Sequence, residues 1–81
     1  MQPLILYSTA GCHLCEEAEL LLRQLALELP LQWQTIDIAS DQVLVERYGI
    51  RIPVLCRADS GGELGWPFDG DRIRGFIVAD G

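Results

Sequence analysis

Residues 8–17 read STAGCHLCEE: a bend of small residues, two cysteines three positions apart, then two acids. Working outward, the stretch sits between two different patterns. Before it, Pro3 opens the apolar run Leu4-Ile5-Leu6-Tyr7, which reads as a strand buried on both faces. After it, Leu14, Ala18, Leu21, Leu22, Leu25 and Leu29 form a helical stripe, and Pro30 ends the helix. The cysteines therefore lie at a strand-to-helix junction. A redox couple, half a metal site, a disulfide staple and two core residues are all open readings at this point.

The rest of the chain supplies the remaining elements. Residues 31–38, LQWQTIDI, alternate like a strand, but the apolar phase slips between Trp33 and Ile36. Such a slip implies a bulge, or an edge strand using different faces at its two ends. Ser40 as N-cap and Gly49 as the residue after the last turn bracket a short helix over 41–48. Pro53-Val54-Leu55-Cys56 is a further strand. The turn Asp59-Ser60-Gly61-Gly62 joins it to a short partner at 63–66. Asp69 can cap a last helix that buries Ile73, Phe76 and Ile77. The order is β-α-β-α-β-β-α, read as one domain over 1–81.

Composition narrows the function. The 81 residues carry twelve acids against six arginines and no lysine, a net charge of −6. That field repels a phosphate backbone, so a nucleic-acid partner is excluded. No apolar run is long enough to span a bilayer, and Met1-Gln2-Pro3 lacks the positive start of a signal peptide. The expectation is a soluble, cytoplasmic monomer. Three cysteines do not make an even-numbered disulfide framework, so redox or metal chemistry fits the close pair better than a staple.

Cys12 falls at the helix start, where free N–H groups and the positive end of the dipole favour a thiolate. Cys15 lies one turn inward, so the outer sulfur is reachable and the inner one covered. That arrangement suits a nucleophile and a resolving thiol. Zinc needs four ligands, and only His13 and Cys56 remain beside the pair; no metal is expected. His13 is either a solvated residue of the first turn or a basic neighbour for Cys12. Glu16 and Glu17 favour the helix dipole but push a nearby thiol upward. Cys56 reads as a small buried hydrophobe.

A CxxC after the first strand of a βαβαββα chain resembles the thioredoxin superfamily. Tyr48-Gly49-Ile50-Arg51-Ile52-Pro53-Val54-Leu55 is similar to the segment in which those proteins set a cis-proline opposite the cysteines. The short stretch from Cys12 to Pro53 and the small size fit glutaredoxins, and the chain resembles a branch of short glutaredoxin-like proteins catalogued as a domain of unknown function. The resemblance implies an α/β thioredoxin fold with a four-stranded mixed sheet and thiol–disulfide oxidoreductase activity in cell redox homeostasis. It implies Cys12 as nucleophile, Cys15 as resolving thiol and Pro53 as the wall that aligns an incoming disulfide. His13, Arg51, Ile52, Trp66 and Asp69 then fall where substrate binds. The partners implied are protein or small-molecule disulfides and a reductant, glutathione or a system like thioredoxin reductase.

Three departures bear on glutathione. Ser8-Thr9-Ala10 holds no base before the CxxC, Arg51-Ile52-Pro53 replaces Thr-Val-Pro, and 65–71 read GWPFDGD instead of a Gly-Gly-x-Asp-Asp stretch. Arg51 can take over carboxylate pairing, and Asp69 or Asp71 can hold the ammonium end. Net charge still opposes an anionic tripeptide, so glutathione is expected to be at best a weak co-substrate. The competing class is a non-catalytic module whose cysteines sense oxidation or hold a metal.

Overall fold

Leu4 and Leu6 point to one side of the first strand and are fully buried, which fixes the face on which the main core grows. The computed structural model describes residues 3–78. The strand, β1, runs Leu4–Ser8, and its other face, Ile5 and Tyr7, is half-buried. One face of β1 is thus wetter than the expectation of two buried faces. Helix α1 spans His13–Leu25 and buries Cys15, Ala18, Leu22 and Leu25. That 3-4-3 spacing sets the phase, and it leaves Leu14, expected on the stripe, exposed at 44%. The helix also stops before Pro30. Leu27 and Glu28 donate three residues back, to Gln24 and Leu25, and these tighter turns wind the helix down ahead of the proline.

Strand β2 (Trp33–Asp37) lies parallel to β1, β3 (Val54–Arg57) antiparallel to it, and β4 (Glu63–Gly65) antiparallel to β3. The mixed sheet has the order β2-β1-β3-β4. Its register from Leu4 opposite Trp33 to Ser8 opposite Asp37 is unbroken, so the phase slip in β2 is no bulge. The strand is an edge. Trp33 packs on the main core, and Thr35 Oγ1 donates to Glu19 of α1, whereas Ile36, opposite Tyr7, turns to the other face.

Helix α2 (Gln42–Tyr48) and helix α3 (Gly70–Val78) complete the layers. Ser40 does not cap α2. It belongs to a 3₁₀ turn, Ile38–Ser40, capped by Asp37, and Asp41 caps α2 by accepting the Val43 N–H at 2.9 Å. Gly49 keeps right-handed dihedrals, φ −49° and ψ −40°, and is not the left-handed residue that its position suggested. Its smallness still matters, since a Cβ there would meet the Val45 carbonyl oxygen at 2.5 Å. Asp69 caps α3 as expected, accepting from the Arg72 N–H at 2.9 Å. Leu4, Leu6, Leu22, Leu55, Phe68 and Ile73 join α1 and α3 to one face of the sheet. The α2 face holds a smaller cluster of Ile38, Tyr48 and Val54.

Candidate functional site

The chain leaves β1 at Ser8 and turns through Thr9, Ala10 and Gly11, where the Cys12 N–H donates to the Thr9 carbonyl. Gly11 takes φ +79°, a left-handed conformation that side-chain-bearing residues adopt at a cost of about 1–2 kcal/mol. This turn places Cys12 at the N-cap of α1. Its Sγ accepts the Cys15 N–H at 3.2 Å, the position usually filled by a Ser or Asp oxygen, and its carbonyl accepts from Glu16 N–H at 3.1 Å.

Both cysteines are free thiols, Cys12 partly exposed and Cys15 only 4% exposed. The outer–inner order follows from the helix phase, because Cys15 shares the buried face with Ala18 and Leu22. Burial pushes the Cys15 thiol up to about 12, and the hydrogen bond and charge of Cys12 and the carboxylate of Glu16 act in the same direction. Cys15 therefore stays protonated across the physiological range.

Pro53 arrives from the other side. Val54 pairs with Tyr7, which puts Pro53 beside the end of β1 from which the cysteine turn departs. It is buried, its bond to Ile52 is cis, and its carbonyl accepts the Trp66 N–H at 3.2 Å. Ile52, Pro53 and Trp66 thus share one end of the sheet with the cysteine turn. Trp66 is half-buried, packs edge-on against Phe68 at 5.0 Å, and begins a second cis bond, to Pro67, that no motif singled out.

Other expected site residues are already engaged. His13 is 95% exposed and lies 3.4 Å from Glu16, solvated on the first turn. Asp69 spends a carboxylate oxygen on the α3 cap. Arg51 donates to Glu63 at 2.9 Å. Glu63 is a centre that sequence reading missed: it also accepts the Tyr48 hydroxyl at 2.5 Å and lies 3.7 Å from Arg47. Arg47 and Arg51 both sit 5.4 Å from the Tyr48 ring, which stacks on Tyr7 at 4.4 Å. The Tyr48 and Arg51 hydrogen bonds hold Glu63 below the usual carboxylate range, while burial and Glu63 push Tyr48 up to about 12. The Tyr48 carbonyl in turn accepts the N–H groups of Arg51 and Ile52, so this cluster anchors the segment that presents Pro53. Cys56 is buried, as expected, and burial first, then Glu63, raises its thiol.

A cleft of about 460 Å³ opens at Cys12 and Cys15, between the 8–11 turn and the Glu16, Glu19, Leu20 and Arg23 face of α1. Ile52 and Pro53 do not line it. Among the described residues no group of three His, Cys, Asp or Glu side chains gathers as a metal site would require. No helix among them is long and apolar enough to cross a membrane.

Sheet order, the CxxC at the start of α1 and the cis-proline define a thioredoxin-fold protein with a redox-related site. The chain belongs to the Glutaredoxin-like domain (DUF836) family, whose profile matches residues 3–78. Among solved structures it is similar to a protein of X. campestris, at 38% identity and TM-score 0.78, over 91% of this chain and 93% of that one. It is also similar to protein Ne2328 of Nitrosomonas europaea, at 33% identity and TM-score 0.80, over 93% and 89%. A mutant thioredoxin of Halobacterium salinarum aligns at 26% identity and TM-score 0.71, over 93% of this chain and 70% of that one. A search of curated proteins returns no match.

Proposed function

We propose that the chain is a thiol–disulfide oxidoreductase in which Cys12 attacks and Cys15 resolves. The observation that carries the reading is the pairing of a partly exposed sulfur at the α1 N-cap with a buried thiol whose N–H reaches it at 3.2 Å. The Cys12 thiolate attacks one sulfur of a partner disulfide. That S–S bond breaks, the leaving thiolate takes a proton from water, and a Cys12–partner disulfide forms. Cys15 then loses its proton and attacks Cys12 Sγ, and the second partner thiol leaves. The protein ends with a Cys12–Cys15 disulfide, and the partner has gained two electrons and two protons. A reducing dithiol returns the pair by the reverse exchange.

Pro53 and Ile52 form the wall along which the partner strand aligns, and Trp66 closes one side. Arg51 and Asp69 are the candidate anchors for glutathione. Their prior contacts with Glu63 and the α3 cap, together with the net charge of −6, support glutathione as a weak co-substrate. The test is turnover of a protein disulfide, such as insulin, with dithiothreitol as reductant. Catalysis that depends on Cys12 is expected. Reduction no faster than dithiothreitol alone refutes the enzyme and leaves a sensing module.

A further inference from the structure

Pro53 does not line the cleft beside the cysteines, so the dithiol reading, which places the partner strand along Pro53, leaves the cleft without a role. Its floor is apolar: Leu20 stays 56% exposed in the middle of α1, next to Ala10 and Gly11. An exposed leucine in a concave surface beside a reactive sulfur is covered most readily by another molecule's aliphatic carbons.

The charges around that floor are unequal. Glu19 is fixed, accepting from Thr35 Oγ1 at 2.9 Å and lying 3.6 Å from Arg23, so Arg23 is already balanced. Glu16 is different. Its side chain is 73% exposed, and among the described residues the cation within ion-pair distance of it is His13, which is charged only when protonated. The cleft therefore presents aliphatic surface beside an exposed carboxylate that, among the described residues, no arginine pairs.

We propose that this cleft seats a long cationic side chain, arginine or lysine, adjacent to the half-cystine of the polypeptide whose disulfide Cys12 attacks. The stem lies on the lining formed by Ala10, Gly11 and Leu20, and the charged tip reaches Glu16. The proposal rests on the dithiol reading and names the substrate class of that same site. The partner's strand then crosses Cys12, with its backbone on the Pro53 side and the flanking cation in the cleft. Arginine and lysine carry stem and charge in one side chain, which acidic and short polar residues do not.

Two measurements on the full chain test it. The first uses dimeric peptides of sequence Ala-Cys-Xaa-Ala, blocked at both ends and joined by their one disulfide, with Arg, Gln or Glu as Xaa. Single-turnover reduction by the reduced protein is expected to be fastest for Arg and slowest for Glu. The Arg-to-Gln ratio should fall about two- to fivefold in Glu16→Gln, the size of one exposed charge pair, and hold in Glu46→Gln on the exposed face of α2. Equal rates for the three peptides, or the same loss in both variants, overturn the proposal and leave only net charge. The second titrates the S-methylated Arg peptide, which cannot exchange, against amide signals of the protein. Shifts at Gly11, Glu16 and Leu20 support the cleft even where no peptide is reduced, an outcome that refutes the dithiol reading alone. Unmoved signals at those three positions overturn the cleft.

Discussion

On the proposed exchange, the buried Cys15 thiol makes the second half the pH-sensitive half. Cys15 is held up to about 12 in the dithiol, against an ordinary value of 9.0. Once Cys12 is tied into a mixed disulfide, its hydrogen bond and charge no longer act on Cys15, but burial, the largest cause, and Glu16 remain. The thiol stays above 9.0. At pH 7 no more than about one Cys15 in a hundred is ionised, and each added pH unit multiplies that fraction by about ten. The resolving rate should follow, rising about tenfold per unit from pH 6 to 8, because the thiolate is the attacking species. The assay loads Cys12 with a peptide disulfide at pH 5, jumps the pH, quenches with acid and follows intact mass. The adduct should vanish log-linearly faster with pH in the wild-type chain and persist at every pH in Cys15→Ser. A plateau that begins below pH 8 would show that Cys15 titrates near or below a free thiol and that burial does not govern it.

Three further outcomes are expected. Cys12→Ser should abolish protein-disulfide reduction and trap no adduct, read by the same mass measurement; an adduct on Cys15 in that variant reverses the roles of the two sulfurs. The depressed Glu63 carboxylate contributes stability that is present above the ordinary value of 4.5 and lost as pH falls through its folded value. Glu63→Gln should therefore lower the unfolding free energy from urea titration at pH 7 by about 1 kcal/mol and flatten its fall between pH 5 and 3. An unchanged acid slope would show that another carboxylate sets it. Cys56→Ala removes a buried sulfur from β3 and should cost about 1 kcal/mol by denaturant titration while leaving disulfide reduction unchanged.

What was legible in the sequence was what local pattern encodes. The CxxC after an apolar strand, Pro53 ahead of Val54-Leu55-Cys56, and the Asp69 cap were readable because turn chemistry and helix spacing act over a few residues. The end of α1 was not. Pro30 is a visible stop, but the helix winds down through 3₁₀-type turns from Leu25, a choice made by packing. Ser40 and Asp41 are both good caps, and sequence alone does not rank them; the 3₁₀ turn that occupies Ser40 decides. Glu63 looked like the first residue of a short hairpin strand. Its partners, Tyr48 and Arg51, lie fifteen and twelve residues back, and no periodicity carries a contact of that range. The cleft was equally hidden, since its walls come from a turn and a helix face that meet only when α1 docks.

The two faces of the sheet are held by different forces, and this sets an order of local opening. On the α1 and α3 side a broad aliphatic core clamps the cysteine helix. On the α2 side three buried residues and the Tyr48–Glu63–arginine cluster hold a seven-residue helix. Seven residues are too few to persist without tertiary support. The α2 layer is thus the low-energy excursion of the molecule, and its amides should exchange with solvent before those of α1. The segment carrying Pro53 is tethered to that looser layer, while Cys12 and Cys15 belong to the tighter one. The Pro53 segment can breathe while the two sulfurs stay in register; on the proposed exchange, partners of different bulk are then admitted without repositioning the sulfurs.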